Sequence, residues 1–160
     1  MPPKEESYVK IIVVSDSHGD VFSLRRCLER ERGADLFFHL GDGEADVSRV
    51  SDLLDGMPVL QVRGNCDWYS DLPARLVTEE SGKRILLTHG HEQMVKYGES
   101  LLRQTALELH ADIALYGHTH RPVQQYEDGL YLCNPGSLRA GDYAVLEIVP
   151  QGIMWLPKRI

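Results

Sequence analysis

Val9-Lys10-Ile11-Ile12-Val13-Val14-Ser15-Asp16-Ser17-His18 is the stretch whose reading decides the fold. Val9 and Ile11 to Val14 form a nearly continuous apolar run rather than an alternating one. Such a run predicts a strand, Tyr8–Val14, that is covered on both faces, as in a parallel sheet with helices packed against it. The run then stops at Asp16 and His18, two side chains able to bind a metal, placed just beyond the strand end. Loops at this end of a strand are where α/β folds usually carry their sites.

Moving outward, Asp20 is placed to cap a helix over Val21–Arg32 with Val21, Leu24 and Leu28 on one face. Gly33 supplies the left-handed residue that ends it. Leu36–Leu40 reads as a second strand followed by Gly41-Asp42. A shorter helix over Asp46–Leu54 is stopped by Gly56 and Pro58, and Val59–Val62 is a third strand followed by Gly64-Asn65. This β-α-β-α-β order predicts parallel pairing through right-handed crossovers.

The second half changes character. Arg75–Glu79 and Arg84–Thr88 flank Glu80-Ser81-Gly82-Lys83 and read as a hairpin. A helix over Tyr97–His110 is expected to turn Leu101, Leu102, Ala106 and Leu109 inward, and Ile113–Tyr116 is another buried strand. Short strands follow at Val123–Tyr126, Tyr131–Cys133, Tyr143–Val149 and Ile153–Leu156, joined by Glu127-Asp128-Gly129 and Pro150-Gln151-Gly152. Without a repeat, low-complexity tract or linker, residues 1–160 read as one domain. The expected fold class is α/β (α+β): two mixed β-sheets packed face to face and flanked by helices.

Composition narrows the function classes. Seventeen basic residues against 24 acidic ones leave a net charge of −7, which argues against a generic nucleic-acid or anionic-membrane surface. Bound divalent cations would reverse the local sign, so an anionic substrate stays compatible with an acidic chain. Cys27, Cys66 and Cys133 are odd in number and form no C-x-x-C pair, which favours a reducing compartment. Met1-Pro2-Pro3-Lys4-Glu5-Glu6 has no apolar core of the signal-peptide kind, and no apolar stretch approaches the roughly 20 residues of a membrane span. A cytoplasmic location is the expectation.

Polar motifs recur after the apolar runs: Asp16-Ser17-His18, Gly41-Asp42, Gly64-Asn65, Thr88-His89-Gly90-His91 and Gly117-His118-Thr119-His120. They offer imidazole nitrogens from His18, His89, His118 and His120, carboxylates from Asp16 and Asp42, and the Asn65 amide oxygen. Seven donors are about what two adjacent divalent cations need. Aspartate has two oxygens on a short stem, so Asp42 is placed to bridge. A mixed imidazole and carboxylate set suits manganese, iron, nickel, cobalt or zinc better than magnesium or calcium. Paired cations can activate a bridging water and neutralise phosphoryl oxygens during in-line displacement.

In this order and chain length, D-x-H, G-D, G-N, H-G-H and G-H-T-H resemble the calcineurin-like metallophosphoesterase superfamily. Gly64-Asn65-Cys66-Asp67 and Asn134-Pro135-Gly136-Ser137 resemble its small YfcE-like phosphodiesterase branch. The resemblance covers Val9 to about Ile148. It implies one metal on Asp16, His18 and His120, a second on Asn65, His89 and His118, and Asp42 bridging both. It also implies a small phosphate-ester substrate, hydrolysis of a diester, and manganese as the first choice of metal. Asn65, Cys66 and His91 are the expected catalytic residues, His91 reading equally as a group that faces the phosphate or as a hydrogen-bond donor behind the metal ligands. Where many members carry histidine after the G-N asparagine, this chain has Cys66, a poor proton donor.

Other residues read more plainly. His39 is expected as a satisfied core histidine, His110 as a helix-terminal residue, and Cys27 and Cys133 as small core side chains. Arg63 and Arg139 read as structural ion-pair partners before anion holders. Trp68 and Tyr69 read equally as a wall for a leaving group or as packing residues. Ile153-Met154-Trp155-Leu156 gives an apolar strand that reads either as an edge for assembly into a homodimer or larger oligomer or as a cover for the core. Two rival functions remain: a non-catalytic scaffold like a retromer subunit of similar fold, whose site residues are altered, and a nuclease. The intact donor set speaks against the first, and the acidic balance against the second.

Overall fold

The computed structural model describes residues 8–160, so the N-terminal segment read for a signal peptide lies outside the described residues. Ten strands form two five-stranded sheets, ordered β10-β9-β1-β2-β3 and β4-β5-β6-β8-β7. In the first sheet β1 (Val9–Val14), β2 (Leu36–His39) and β3 (Val59–Gln61) are parallel, as the β-α-β-α-β order predicts. The chain then builds β4 (Arg75–Glu80), β5 (Lys83–Thr88), β6 (Ile113–Leu115), β7 (Val123–Glu127) and β8 (Leu130–Asn134) of the second sheet. It returns to the first sheet as β9 (Asp142–Val149) and β10 (Gly152–Arg159), both antiparallel to their neighbours.

Side chains alternate between the two faces of each strand, and that alternation makes the layers. Ile11 and Val13 of β1, Phe38 of β2, Ile85 and Leu87 of β5, and Ile113 and Leu115 of β6 share one core between the sheets. Their neighbours Ile12, Val14 and Phe37 face outward to Leu24, Cys27 and Leu28 of α1 (Val21–Arg30) and Val47 of α2 (Glu44–Arg49). On the far side Leu86 and Ala114 meet Leu102 and Ala106 of α3 (Ser100–Glu108). The result is four layers: helix, sheet, sheet, helix.

Boundaries differ from the sequence reading where polar local contacts win. Asp20 accepts from the Ser23 backbone N–H at 2.9 Å and caps α1 as expected. The helix stops at Arg30, before Gly33, because Glu31 is drawn into a buried cluster with Lys10, Lys158 and Tyr143. α2 begins at Glu44 and breaks after Arg49 into a single 3₁₀ turn, Ser51–Leu53. α3 is shorter than Tyr97–His110 because Gly98, at φ 135°, separates it from a 3₁₀ turn at Val95–Tyr97. Leu101 is exposed rather than inward, while Leu109 packs partly into the core.

β10 is longer than expected and runs the full length of β9; Pro157 is tolerated there because β10 is an edge strand. Trp155, invoked for assembly, is buried in the core between the sheets, leaving Met154 exposed on that strand. Among the described residues no helix is long and apolar enough to cross a membrane.

Candidate metal centre

Each candidate donor follows the carboxyl end of one of the mutually parallel strands. Asp16 and His18 follow β1, Asp42 follows β2, Asn65 follows β3, His89 follows β5, and His118 and His120 follow β6. The loops are laced together by backbone bonds: Asp16 N–H to Gly41 O, His18 N–H to Asp42 O, and Gly117 N–H to His89 O. Five of the seven donors, Asp16, His18, Asp42, His118 and His120, sit at φ between 44° and 70°. Non-glycine residues hold that conformation only where surrounding structure imposes it, and such strain clusters at functional sites.

The donors converge. His120 Nε2 lies 3.1 Å from Asp16 Oδ1 and 3.3 Å from His18 Nε2, which is itself 3.4 Å from Asp16 Oδ1. On the other side His89 Nε2 lies 3.0 Å from Asn65 Oδ1 and 3.2 Å from His118 Nδ1. Asp42 Oδ2 stands between, 3.6 Å from His18 Nε2 and 3.3 Å from His89 Nε2. All seven residues expected from the sequence are brought together, in the two groups the resemblance implies. One detail differs: Asp42 Oδ1 is occupied by the Cys66 backbone N–H at 2.8 Å, so a single oxygen, Oδ2, faces both groups.

The lone pairs show what this arrangement lacks. His89 Nδ1 donates to the Leu40 carbonyl at 2.8 Å, leaving Nε2 of the neutral ring as an acceptor. That acceptor faces an amide oxygen, a carboxylate oxygen and another imidazole nitrogen. Acceptors crowded against acceptors require positive charge among them, which a proton on His89 or a bound cation supplies, and the mixed imidazole, carboxylate and amide set is one that fits divalent metal ions.

Electrostatics agree with that demand. Burial would raise the Asp42 pKa, but His89, the Cys66 N–H and His18 together hold it well below the carboxylate range. Burial disfavours a charged His89, yet contact with Asp42 and the proximity of Asp16 outweigh it and raise its pKa. Burial, with His89 and Lys96 nearby, pushes His118 down to about 4.

Glycines keep the donors close. At Gly41, φ 110°, an added Cβ would come within 2.6 Å of His89 Nδ1 and 2.8 Å of the Gly64 nitrogen. One at Gly64 would collide with the Asp42 carboxylate, a contact that only hydrogen permits.

His91 lies beside this group, its ring 5.5 Å from His89 and 6.1 Å from His118, with a buried Nδ1 that has no hydrogen-bond partner among the described residues. Burial, reinforced by His89, lowers its pKa. Cys66 is exposed, its Sγ 3.5 Å from Asn65 Nδ2, and sulfur, His18 and Asp42 form a third tight cluster of donor atoms. Burial, then Asp42, raises the thiol pKa. His39 is the satisfied core histidine expected, between Ser17 Oγ at 2.9 Å and the Gly41 N–H at 3.1 Å. Trp68 and Tyr69 are 80% and 103% exposed, which removes core packing as their role. Arg63 and Arg139 make no ion pair among the described residues. Arg63 donates to the Leu72 carbonyl, and Arg139 lines a surface cavity with His18 and His120.

Several supporting residues carried no role in the sequence reading. The Asp67 carboxylate accepts from the backbone N–H groups of Asp42, Gly43, Glu44 and Gly64, clamping the loops after β2 and β3 together. Asp46 accepts from Ser17 Oγ and the Gly19 N–H. Asn134 donates to the Gly117 carbonyl and Thr119 Oγ1, and Ser137 Oγ donates to the Asp16 carbonyl. The available signal was position, since Asp67 and Asn134 sit inside quoted motifs. Most of their partners lie 15 or more residues away in sequence, which no spacing shows.

Comparison with known proteins places this arrangement among relatives. Residues 9–149 match the Calcineurin-like phosphoesterase superfamily domain. The chain is 33% identical over 132 residues to the probable metallophosphoesterase YsnB of Bacillus subtilis, covering 82% of this chain and 76% of that one. It is 32% identical over 155 residues to the phosphodiesterase YfcE of Escherichia coli, covering 81% and 79%. A crystal structure of a predicted phosphoesterase from Streptococcus pneumoniae superposes with a TM-score of 0.76 at 32% identity, over 95% of this chain and 99% of that one. Vps29 of Entamoeba histolytica, at 20% identity, shares the fold alone.

Proposed function

The chain belongs to the calcineurin-like phosphoesterase superfamily, and from that premise we propose that it is a metal-dependent phosphodiesterase working with two divalent metals. The observation that supports this most is the acceptor-against-acceptor geometry joined by Asp42 Oδ2, between His18 Nε2 at 3.6 Å and His89 Nε2 at 3.3 Å. Asp16, His18 and His120 would hold one ion and Asn65, His89 and His118 the other. Two transition-metal ions, manganese first, would supply Lewis acidity and a water of lowered pKa between them. The carbonyl of Leu40 fixes the His89 tautomer, and the Cys66 N–H fixes the carboxylate of Asp42, so neither must reorganise on binding. Asn65, Cys66 and His91 border the same cluster and are the residues proposed to meet the phosphoryl group.

Asn65, Cys66 and His120 are exposed, and an open rim on that side gives room for two ester substituents. The rival reading, a non-catalytic scaffold, draws support from Vps29-like folds. It does not account for seven convergent donors, five of them held by strained backbone. The test is turnover of bis-p-nitrophenyl phosphate and p-nitrophenyl phosphate by chelator-treated protein before and after adding manganese, nickel or zinc. The expected result is no activity until metal is restored, and then faster hydrolysis of the diester. Activity that survives complete metal removal would sink the metal reading, and tenfold faster monoester turnover would remove the diester preference. No turnover at full metal occupancy would favour the scaffold.

A further inference from the structure

In this acidic chain Lys10, Lys158, Arg25 and Arg84 each meet a carboxylate. Lys96 and Arg121, both exposed, are two of the several basic side chains with no carboxylate partner among the described residues, and these two come together. They line one cavity of about 460 Å³, between the loop that follows β5 and the loop that follows β6. Tyr116 and Thr119, in its lining, flank Gly117-His118 in the chain, so the cavity lies beside the loop that carries His118 and His120. Val95 and Tyr116 give it a buried apolar floor. The one carboxylate present, Glu99, is engaged by the Tyr116 hydroxyl at 2.5 Å. That bond leaves the Glu99 charge in place, so the lining carries two cations against one anion in a pocket of ligand size.

We propose that this cavity is a second anion subsite, which takes a phosphate carried on the non-reacting arm of the diester. The proposal rests on the hydrolytic reading above and extends it to a substrate class: phosphodiesters bearing a further phosphate group. The guanidinium of Arg121 offers a planar fork for phosphate oxygens, and Lys96 adds a point charge from the facing loop. Both are exposed, so the attraction is screened by salt and modest in size.

Two measurements on Lys96→Gln/Arg121→Gln test it. Inorganic pyrophosphate binding to metal-free protein, followed by calorimetry, should weaken at least about fivefold in the double variant, and the wild-type affinity should fall with added salt. With metal restored, two p-nitrophenyl alkyl diesters are compared that differ only in a terminal phosphate on the alkyl arm. The double variant's loss of kcat/KM should be about tenfold greater for the phosphate-bearing ester than for the plain one. Equal pyrophosphate affinity, or equal losses for the two esters, would overturn the subsite. If neither ester is hydrolysed while pyrophosphate still distinguishes the proteins, the hydrolytic reading fails, and with it the substrate class, while the cavity stands as an anion site.

Discussion

At their shared edge the two sheets contribute unlike chemistry. The first sheet supplies every oxygen donor, Asp16, Asp42 and Asn65, together with one imidazole, His18. The second supplies imidazoles alone, His89, His118 and His120. Each group of donors is completed across the seam: His120 closes on Asp16, and His89 closes on Asn65 and Asp42. The same seam is held by polar bonds from one sheet's loops to the other's, the His118 N–H to Asp16 Oδ2 and His89 Nδ1–H to the Leu40 carbonyl. Packing of the sheets and assembly of the site are thus one event, and damage to either sheet should be read at both.

The strongest way to break the symmetry is Asp42→Asn. This substitution keeps the shape and the Cys66 contact but removes the charge on the oxygen that stands between His18 and His89. Activity is expected to fall by more than the roughly 10–100-fold typical of losing a supporting contact, with metal content reduced below two ions per chain. Steady-state kinetics with elemental analysis checks this; active protein with no metal in either form would refute it. The second-sheet counterpart, His89→Ala, should cost metal as well but leave the carboxylate pair unneutralised.

Asp67→Ala acts on the first sheet alone. It leaves four backbone N–H groups without their acceptor, a cost on the order of 3 kcal/mol allowing for partial hydration. Thermal unfolding should shift downward, and metal affinity should weaken about 10-fold or more as Asp42 loses its fixed backbone. The equivalent loss on the second sheet, Asn134→Ala, removes bonds to the Gly117 carbonyl and Thr119 Oγ1 and should affect His118 and His120 instead. Should both variants lower metal affinity identically at every ligand, the division of labour between the sheets would be wrong.

Acid sharpens the contrast further. Buried Glu31 joins the end of α1 to β1, β9 and β10 through Lys10, Tyr143 and Lys158, so it braces only the first sheet. Burial alone would raise its pKa, but the bonds from Lys158, Lys10 and Tyr143 outweigh that and hold it down at about 2 against an ordinary 4.5. A carboxyl depressed on folding contributes stability that is complete above about pH 4.5 and is lost as pH falls towards 2. The second sheet's Arg84–Glu79 pair is exposed and adds little. Amide exchange should therefore show the first sheet loosening before the second below pH 4.5, and Glu31→Gln should flatten that dependence. Simultaneous loosening of both sheets would deny Glu31 this role.

How much of this was legible in sequence follows from the range of the interactions. Apolar runs such as Val9–Val14 and Ile113–Tyr116 announce doubly covered strands because burial is written locally, residue by residue. Ser81-Gly82 and Asp128-Gly129 announce tight turns, and both pairs do adopt positive φ. Donor residues were visible because each follows such a run. Hidden from view were Asp67, Asp46, Asn134 and the early end of α1 at Glu31, each decided by partners remote in the chain. The return of β9 and β10 to the first sheet was hidden for the same reason, since strand pairing depends on which edge stays free. Arg63 was misread as an ion-pair partner because a carbonyl acceptor, Leu72, leaves no trace in composition.

The smallest expected effect concerns Cys66, the one first-sheet rim residue whose chemistry departs from the superfamily pattern. Its thiol is held above its ordinary pKa by burial and by Asp42, so it stays protonated and donates weakly. Cys66→His would place an imidazole beside Asn65, where a leaving-group oxygen could be protonated. Well-positioned acid catalysis is worth about 10²–10⁴-fold, and an unoptimised replacement should recover only a few-fold of it. The gain should appear with alkyl leaving groups and nearly vanish with p-nitrophenolate, which needs no proton. Because the Cys66 N–H also fixes Asp42 Oδ1, a bulkier side chain that shifts this turn would lower metal content instead. Rates with both leaving groups, measured beside metal occupancy, separate the outcomes. Unchanged alkyl-ester turnover at full occupancy would show that proton donation does not limit this site, leaving the Cys66 backbone rather than its sulfur as the contribution to the centre.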